Sequence, residues 1–176
     1  NSRVAVSGQM YYGDVEDAYY YTNYYPERAT KFTISDFGLW SNSGVTIDSL
    51  EAWFYDYDLN NWGGSNTFNF KIYAANGTTV LYTSPSIVAI PSDGTYIYPT
   101  RFTLPTPLSI NGDFWIAVKP VGTTTGKPYG LSTNYSYGHS YYGSAGSWTA
   151  LAQEEHIISA YVRGNYWVYA SGGTGT

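Results

Sequence analysis

The feature that most constrains this chain is the alternation of apolar and polar residues along its length. Phe68, Phe70 and Ile72 alternate with Asn69 and Lys71, and similar runs recur from end to end. A period of two is typical of strands, whereas no stretch shows the 3.6-residue stripe of a helix. Turn signals such as Asn-Gly pairs separate the runs. The sequence therefore predicts an all-β fold: a single antiparallel β-sandwich of jelly-roll type, one domain spanning residues 1–176 with β-prone terminal extensions.

Four local patterns give finer predictions. The apolar phase set by Val45 and Ile47 reverses at Leu50, which predicts a bulge near Asp48–Ser49. The run Phe114–Val118 is apolar almost throughout, as expected for a central strand covered on both faces. Asn76-Gly77 predicts a hairpin turn, and Pro105 and Pro107 predict that a short strand, Arg101–Leu104, ends there.

Composition limits the function classes. Only 12% of the residues are charged, there are 21 tyrosines, and the net charge of −5 offers no basic stripe for nucleic acid. Cysteine is absent, so neither a disulfide framework nor a thiolate metal site is expected. No apolar run is long enough to predict a membrane span. The chain starts at Asn1, as a mature product does after removal of a signal peptide. We therefore expect an extracellular or cell-surface protein.

From about residue 28 to 163 the order of segments resembles β-sandwich domains of large secreted bacterial surface proteins. The matching pieces are Phe70–Tyr73, Leu81–Thr83, Phe102–Pro105, Gly112–Val118, Tyr141–Gly143 with Gly146–Trp148, and Ile157–Val162. The resemblance implies a secreted sandwich and brings no catalytic residues with it. Residues 1–10 and 165–176 lie outside the resembling region, which leads us to expect a stand-alone subunit in which these ends are exchange or edge strands.

No catalytic constellation is predicted. His139 and His156 are the only groups that titrate near neutrality, and no nucleophile elbow accompanies them. Glu154 and Glu155 are adjacent, so on a strand they would point to opposite faces rather than across one cleft. We expect a protein that is not an enzyme, with ordinary surface or hydrogen-bonded histidines.

One short acidic motif is a candidate calcium site. Asp56, Asp58 and Asn60 place oxygen ligands on alternate residues, as the start of a Ca²⁺ loop does, although the full EF-hand pattern fails. A second acidic group contains Asp14, Glu16 and Asp17. The alternative is that these are solvated turn carboxylates. The cofactor expectation is accordingly either none or structural calcium.

Two sequons are candidate glycosylation sites. Asn76 begins Asn-Gly-Thr and Asn134 begins Asn-Tyr-Ser, both in predicted loops. Such triplets also arise by chance in a chain rich in Asn, Ser and Thr. The two asparagines therefore remain candidates only.

The leading functional hypothesis is a structural subunit that assembles with itself into a surface filament, pilus or biofilm matrix. A β-segment donated by a neighbour can complete an unfilled sheet edge. The candidate exchange residues are Val4 and Val6 near the start of the chain, and Tyr166, Val168 and Ala170 near its end. The alternative reading is that both segments are edge strands of their own domain.

A second hypothesis is a module that binds extracellular polysaccharide, or an accessory domain of a secreted hydrolase. Exposed aromatic rings can stack on sugar rings. The candidate platform residues are Trp53, Trp62, Tyr141 and Tyr142, with Tyr55, Tyr135 and Tyr137 as further exposed aromatics.

Overall fold

A computed structural model describes residues 2–14, 18–20, 25–40, 44–55, 66–92, 95, 98–122 and 128–168. In this part of the chain the structure is all-β, with one 3₁₀ helix at Ile34–Trp40 and no helix long and apolar enough to cross a bilayer. The strands are β1 (Ser2–Met10), β2 (Ala18–Tyr20), β3 (Glu27–Phe32), β4 (Val45–Tyr55), β5 (Thr67–Ala74), β6 (Val80–Thr83), β7 (Ile87–Val88), β8 (Pro91–Ser92), β9 (Pro99–Ile110), β10 (Phe114–Pro120), β11 (Tyr129–Thr133), β12 (Ser140–Ser144), β13 (Ser147–Ala150), β14 (Glu155–His156) and β15 (Ile158–Val168).

The strands form two sheets. The first follows the order β1-β15-β4-β11-β14, and β2 also pairs with β11 while β8 and β9 also pair with β4. The second follows the order β13-β12-β3-β10-β5-β6, and β7 also pairs with β5. All these pairings are antiparallel except the short contact between β4 and β8. The predicted all-β, antiparallel class is confirmed.

The main hydrophobic core takes side chains from both sheets. Leu50, Ala52 and Phe54 of β4 and the predicted apolar face of β5 are buried in it. The central strand β10 is covered on both faces, as its sequence predicts: Ile116 belongs to the main core, while Trp115 belongs to a smaller cluster behind the second sheet. Burial of this kind stabilises a fold by about 25 cal/mol for each Å² of apolar surface.

The bulge and hairpin predictions are confirmed, and one prediction about proline is wrong. The pairing of β4 shifts register at Asp48 on both its neighbours, β15 and β9. A hairpin joins β5 to β6 around Gly77, whose φ of 65° suits a residue without a side chain. However, β9 does not end before Pro105: it continues to Ile110. The prolines are tolerated because β9 pairs only with β4 in the described part of the chain, and because its register slips between Thr103 and Leu108.

Candidate functional sites

The two terminal segments pair with each other. Strands β1 and β15 run antiparallel over nine residue pairs, from Ser2 opposite Val168 to Met10 opposite Ala160. The described portion of the chain therefore has both ends in one sheet, with β1 at its edge. This is the alternative in which both terminal segments are edge strands of their own domain, which the sequence left open.

A third strand pairs with only part of the length over which β1 and β15 pair. On its other side β15 pairs with β4 through residues 158–163, and no further described strand pairs with residues 164–168. Residues 2–6 and 164–168 thus form a two-stranded extension, here called the terminal ribbon. The register sets Val4 opposite Tyr166 and Val6 opposite Gly164. Four of the five predicted exchange residues therefore lie at paired positions of the ribbon; Ala170 lies outside the described residues.

Next to the end of β1 lies a surface cleft divided by Tyr11, here called the Tyr11 cleft. One hollow of about 190 Å³ is lined by Gln9, Tyr11, Gly13, Asp14, Trp53, Ile157 and Ser159. The adjoining hollow of about 460 Å³ is lined by Tyr11, Tyr12, Asp36, Phe37, Tyr137 and His139. Tyr11 is 48% exposed and Tyr137 is 66% exposed, so two aromatic rings face solvent there.

The floor of the second hollow is held rigidly. The Tyr12 hydroxyl donates to Asp36 Oδ2 at 2.8 Å and accepts from the Thr33 backbone N–H at 3.1 Å. The Tyr12 ring stacks on His139 with 3.7 Å between ring centroids, and His139 Nε2 lies 3.4 Å from Asp36 Oδ2. Burial, with a further effect of Asp36, raises the pKa of Tyr12 well above its usual value, so the phenol stays a neutral donor.

The buried carboxylate of Glu155 holds the loop that carries Tyr137 and His139. Glu155 Oε1 accepts the backbone N–H groups of Tyr137 at 2.7 Å and His139 at 3.0 Å. Its Oε2 accepts the hydroxyl of Ser140 at 2.5 Å. Charge-assisted hydrogen bonds of this kind are among the stronger ones in proteins. The walls of the cleft are therefore positioned before any ligand arrives.

His156 is a buried structural histidine. Its Nε2 lies 3.1 Å from the carbonyl oxygen of Tyr141, which can only accept, so Nε2 carries the proton. Its Nδ1 then accepts from the Ser132 hydroxyl at 3.1 Å. Burial, with a further effect of Arg28, lowers the pKa of His156 to about 3, so the ring is neutral at physiological pH.

Glu154 differs from its neighbour in having no hydrogen-bond partner among the residues that the structure describes. Its side chain is buried, and neither carboxyl oxygen is hydrogen-bonded within the described residues. Burial raises the pKa of Glu154 to about 7, against the opposing effect of Arg28. Arg28 is itself buried and donates to the Pro128 carbonyl oxygen at 2.8 Å, and burial lowers its pKa to about 10. The two adjacent glutamates thus differ in their surroundings: Glu155 accepts hydrogen bonds, whereas burial and Arg28 act on the Glu154 carboxyl.

The structure separates the predicted aromatic platform residues. Trp53 lines the Tyr11 cleft but is only 9% exposed, and it packs on Ile157. Tyr141 lies in the other sheet, where its ring is 4.6 Å from Trp115, and Tyr142 lies 4.7 Å from Tyr25. Trp62 lies outside the described residues. Of the three described platform residues, only Trp53 borders the cleft.

The candidate calcium ligands Asp56, Asp58 and Asn60 also lie outside the described residues. So do Glu16 and Asp17 of the second acidic group, while Asp14 lines the Tyr11 cleft. Structural calcium therefore stays a prediction.

Both candidate sequons are at the surface. Asn76 is exposed in the β5–β6 turn, where its Oδ1 accepts the backbone N–H groups of Thr78 and Thr79 at 2.9 Å. Asn134 is exposed in the turn after β11. The Asn76 side chain therefore already shapes the turn that a glycan would extend from.

Sequence reasoning missed Tyr11, Tyr12 and Asp36 as cleft residues. Tyr11 and Tyr12 follow an apolar-alternating strand and so look like its continuation, and Asp36 has no other charged residue beside it between Lys31 and Asp48. Nothing local indicates that they meet His139, which is more than 100 residues away in the sequence. Comparison with models of known protein families, with characterised proteins and with solved structures yields no match, so function has to be argued from the geometry alone.

Proposed function

We propose that this chain is a non-enzymatic extracellular structural subunit, a sandwich of jelly-roll type that assembles with copies of itself through its terminal strands. The observation that carries the proposal is the terminal ribbon. Its residues 2–6 and 164–168 pair with each other and with no third strand of the described part of the chain. A two-stranded ribbon is only marginally stable in water when it stands alone.

Exchange between copies would retain the hydrogen bonds of the ribbon. If residues 2–7 of one copy paired with residues 163–168 of the next, six of the nine residue pairs between β1 and β15 would be re-formed between chains in the same register. Gly8 lies next to this segment, and a glycine offers the backbone freedom that such a hinge needs. Past the hinge the chain is anchored, because Met10 is in the core and Tyr12 is hydrogen-bonded. The exchanged element is thus short and well bounded.

Two strands at the border of the first sheet, β1 and β9, differ in a way that favours β1 for pairing with a neighbour. Edge strand β9 contains Pro99, Pro105 and Pro107, and each proline lacks the N–H that a new neighbour would bind. Strand β1 contains no proline over its nine residues. Continued pairing beyond the sheet is therefore possible at β1 and obstructed at β9.

The absence of native cysteine allows a direct test by disulfide trapping. The double variant Val4→Cys/Tyr166→Cys places two thiols at opposed positions of the ribbon. Under mild oxidation, exchange should give a ladder of covalent oligomers on non-reducing gels, whereas pairing within one chain gives monomers. Mixing the two single variants should give the mixed disulfide between positions 4 and 166 in excess over the two symmetric disulfides, because random collisions of exposed thiols do not favour the mixed product.

A matched control comes from the body of the sandwich. Thr46 and Ser109 face each other in β4 and β9, with their hydroxyl oxygens 3.0 Å apart. The variant Thr46→Cys/Ser109→Cys should therefore form only an intramolecular disulfide. Filaments seen by electron microscopy in wild-type protein and abolished by deleting residues 2–6 would support the proposal. If concentrated wild-type protein stays monomeric and the Val4/Tyr166 disulfide forms only within monomers, the proposal is wrong.

A further inference from the structure

We propose that the Tyr11 cleft is a binding site for a neutral saccharide chain. The proposal rests on the two hollows that meet at Tyr11 and on the kinds of side chain around them. It goes beyond self-assembly and does not depend on it. It also assigns a role to residues that the sequence had not connected with one another.

The aromatic side chains supply the contact area. Tyr11 and Tyr137 expose 48% and 66% of their surface, and both line the larger hollow. Tyr12 and Phe37 lie beside them, 5.1 Å apart between ring centroids. A flat aromatic face covers the C–H face of a sugar ring, and a tyrosine does so with little loss of side-chain freedom. Two exposed rings that line one hollow therefore offer contact area for more than one sugar ring.

Polar groups in the same cleft fit sugar hydroxyls. Asp14, Gln9 and Ser159 line the smaller hollow, where Gln9 Nε2 donates to Ser159 Oγ at 2.8 Å. Asp36, whose Oδ2 accepts from the Tyr12 hydroxyl, lines the larger hollow. Carboxylate and amide oxygens accept hydrogen bonds from hydroxyl groups, and a few such groups around an apolar surface are typical of ligand sites. Of the described residues that line the cleft, none is lysine or arginine. The charge therefore favours a neutral chain over an acidic polysaccharide.

A peptide strand is a poorer fit. Peptides that bind in extended form usually add to a free strand edge through main-chain hydrogen bonds. Here the backbone N–H groups of Tyr137 and His139 are already donated to Glu155. These two backbone groups of the larger hollow are thus not free to pair with a peptide.

The cleft is also preorganised. Gly13 packs so closely on β14 that a Cβ atom there would lie 2.7 Å from the carbonyl oxygen of His156, which fixes the loop bearing Tyr11. The Tyr12–Asp36–His139 contacts fix the floor, and Glu155 fixes the opposite wall. A rigid site loses less entropy on binding than a flexible one.

The test is isothermal titration calorimetry of the full chain with three neutral hexasaccharides and one acidic one. The neutral probes are cellohexaose, xylohexaose and mannohexaose, and the acidic probe is hexagalacturonate. We expect binding of at least one neutral probe and none of the acidic one. Tyr11→Ala and Tyr137→Ala should each weaken that binding about tenfold, as removal of an aromatic contact does. Tyr11→Phe should retain most of it, because the ring remains.

Tyr98→Ala is the matched control, since Tyr98 is 50% exposed but does not line the cleft. Its affinity for the sugar should equal that of the wild type, and all variants should melt at the wild-type temperature. Absence of heat with every neutral probe overturns the proposal. So does equal weakening by Tyr98→Ala, an unchanged affinity in Tyr11→Ala, or preferential binding of hexagalacturonate. None of these results depends on whether the protein forms filaments.

Discussion

Replacing Glu154 by glutamine should change how the stability of this protein depends on pH. The Glu154 carboxyl is 3% exposed and unpartnered in the described structure, and its pKa is raised from 4.5 to about 7. Glutamine has nearly the same shape and does not titrate. The substitution therefore removes one linkage between folding and protonation and leaves the packing almost unchanged.

The sign follows from the protons bound in each state. A raised pKa in the folded protein gives Glu154 a contribution that is fully present below pH 4.5 and is lost as the pH rises through about 7. His156 acts in the opposite direction, because its pKa is lowered from 6.5 to about 3. Its contribution is present above pH 6.5 and is lost as the pH falls through about 3.

Between pH 4.5 and 6.5 the two effects cancel. The unfolded chain holds one proton on the histidine and the folded chain holds one on Glu154, so their contributions to the slope sum to zero. In Glu154→Gln only the histidine linkage remains, which adds about 1.4 kcal/mol per pH unit across this window. The raised pKa of Glu154 corresponds to about 3 kcal/mol, so the variant should gain up to about that much over wild type by pH 8.

The assay is urea unfolding followed by tryptophan fluorescence at a series of pH values from 4.5 to 8. The quantity to plot is the free energy of unfolding of Glu154→Gln minus that of wild type, since titrations shared by both proteins cancel in the difference. This difference should rise with pH. A difference that is constant across the range would refute the argument.

The neighbouring glutamate provides the control. Glu155 is equally buried but accepts three hydrogen bonds, from the backbone of Tyr137 and His139 and from the Ser140 hydroxyl. The side chain of Glu155→Gln keeps only one acceptor oxygen and its NH2 group cannot accept, so at least one of these hydrogen bonds is lost and this variant should be destabilised by about 2 kcal/mol at pH 8. The same substitution at adjacent positions is thus expected to have opposite signs.

Three further predictions concern the fold. Gly13→Ala should lower the unfolding free energy by about 1–3 kcal/mol, measured by urea unfolding, because its Cβ would lie 2.7 Å from the backbone oxygen of His156; wild-type stability would contradict this. Ile116→Ala, at a fully buried position of the central strand, should cost about 2–5 kcal/mol in the same assay, and a cost below about 1 kcal/mol would show that the site is not in the core. Arg163→Ala should raise the lowered pKa of Asp48 towards its usual value in an NMR titration, because the Arg163 hydrogen bond is the main cause of the lowering; an unchanged pKa would exclude that cause.

Much of the fold follows from local pattern. The alternation in β4 and β5, the phase reversal at Asp48 and the apolar run of β10 each depend on neighbours within one strand, and each prediction is confirmed. The wrong prediction at Pro105 fails for a nonlocal reason. A proline ends a strand whose backbone N–H groups must donate hydrogen bonds on both sides. Strand β9 is instead an edge strand with an irregular register.

The candidate sites depend on contacts between distant segments. The sequence shows two β-prone ends, but only the sheet order shows that Val4 lies opposite Tyr166 and that β4 stops short of them. Likewise, the sequence does not indicate that Tyr11 and Tyr137 line the same hollow. Nor does it indicate which of the two adjacent glutamates is hydrogen-bonded. The sequence by itself determined the strands and their buried faces, because alternation is a property of neighbouring residues. Only the tertiary structure decided the terminal ribbon, the Tyr11 cleft and the unpartnered Glu154, because each is created by the pairing of segments that are far apart in the chain.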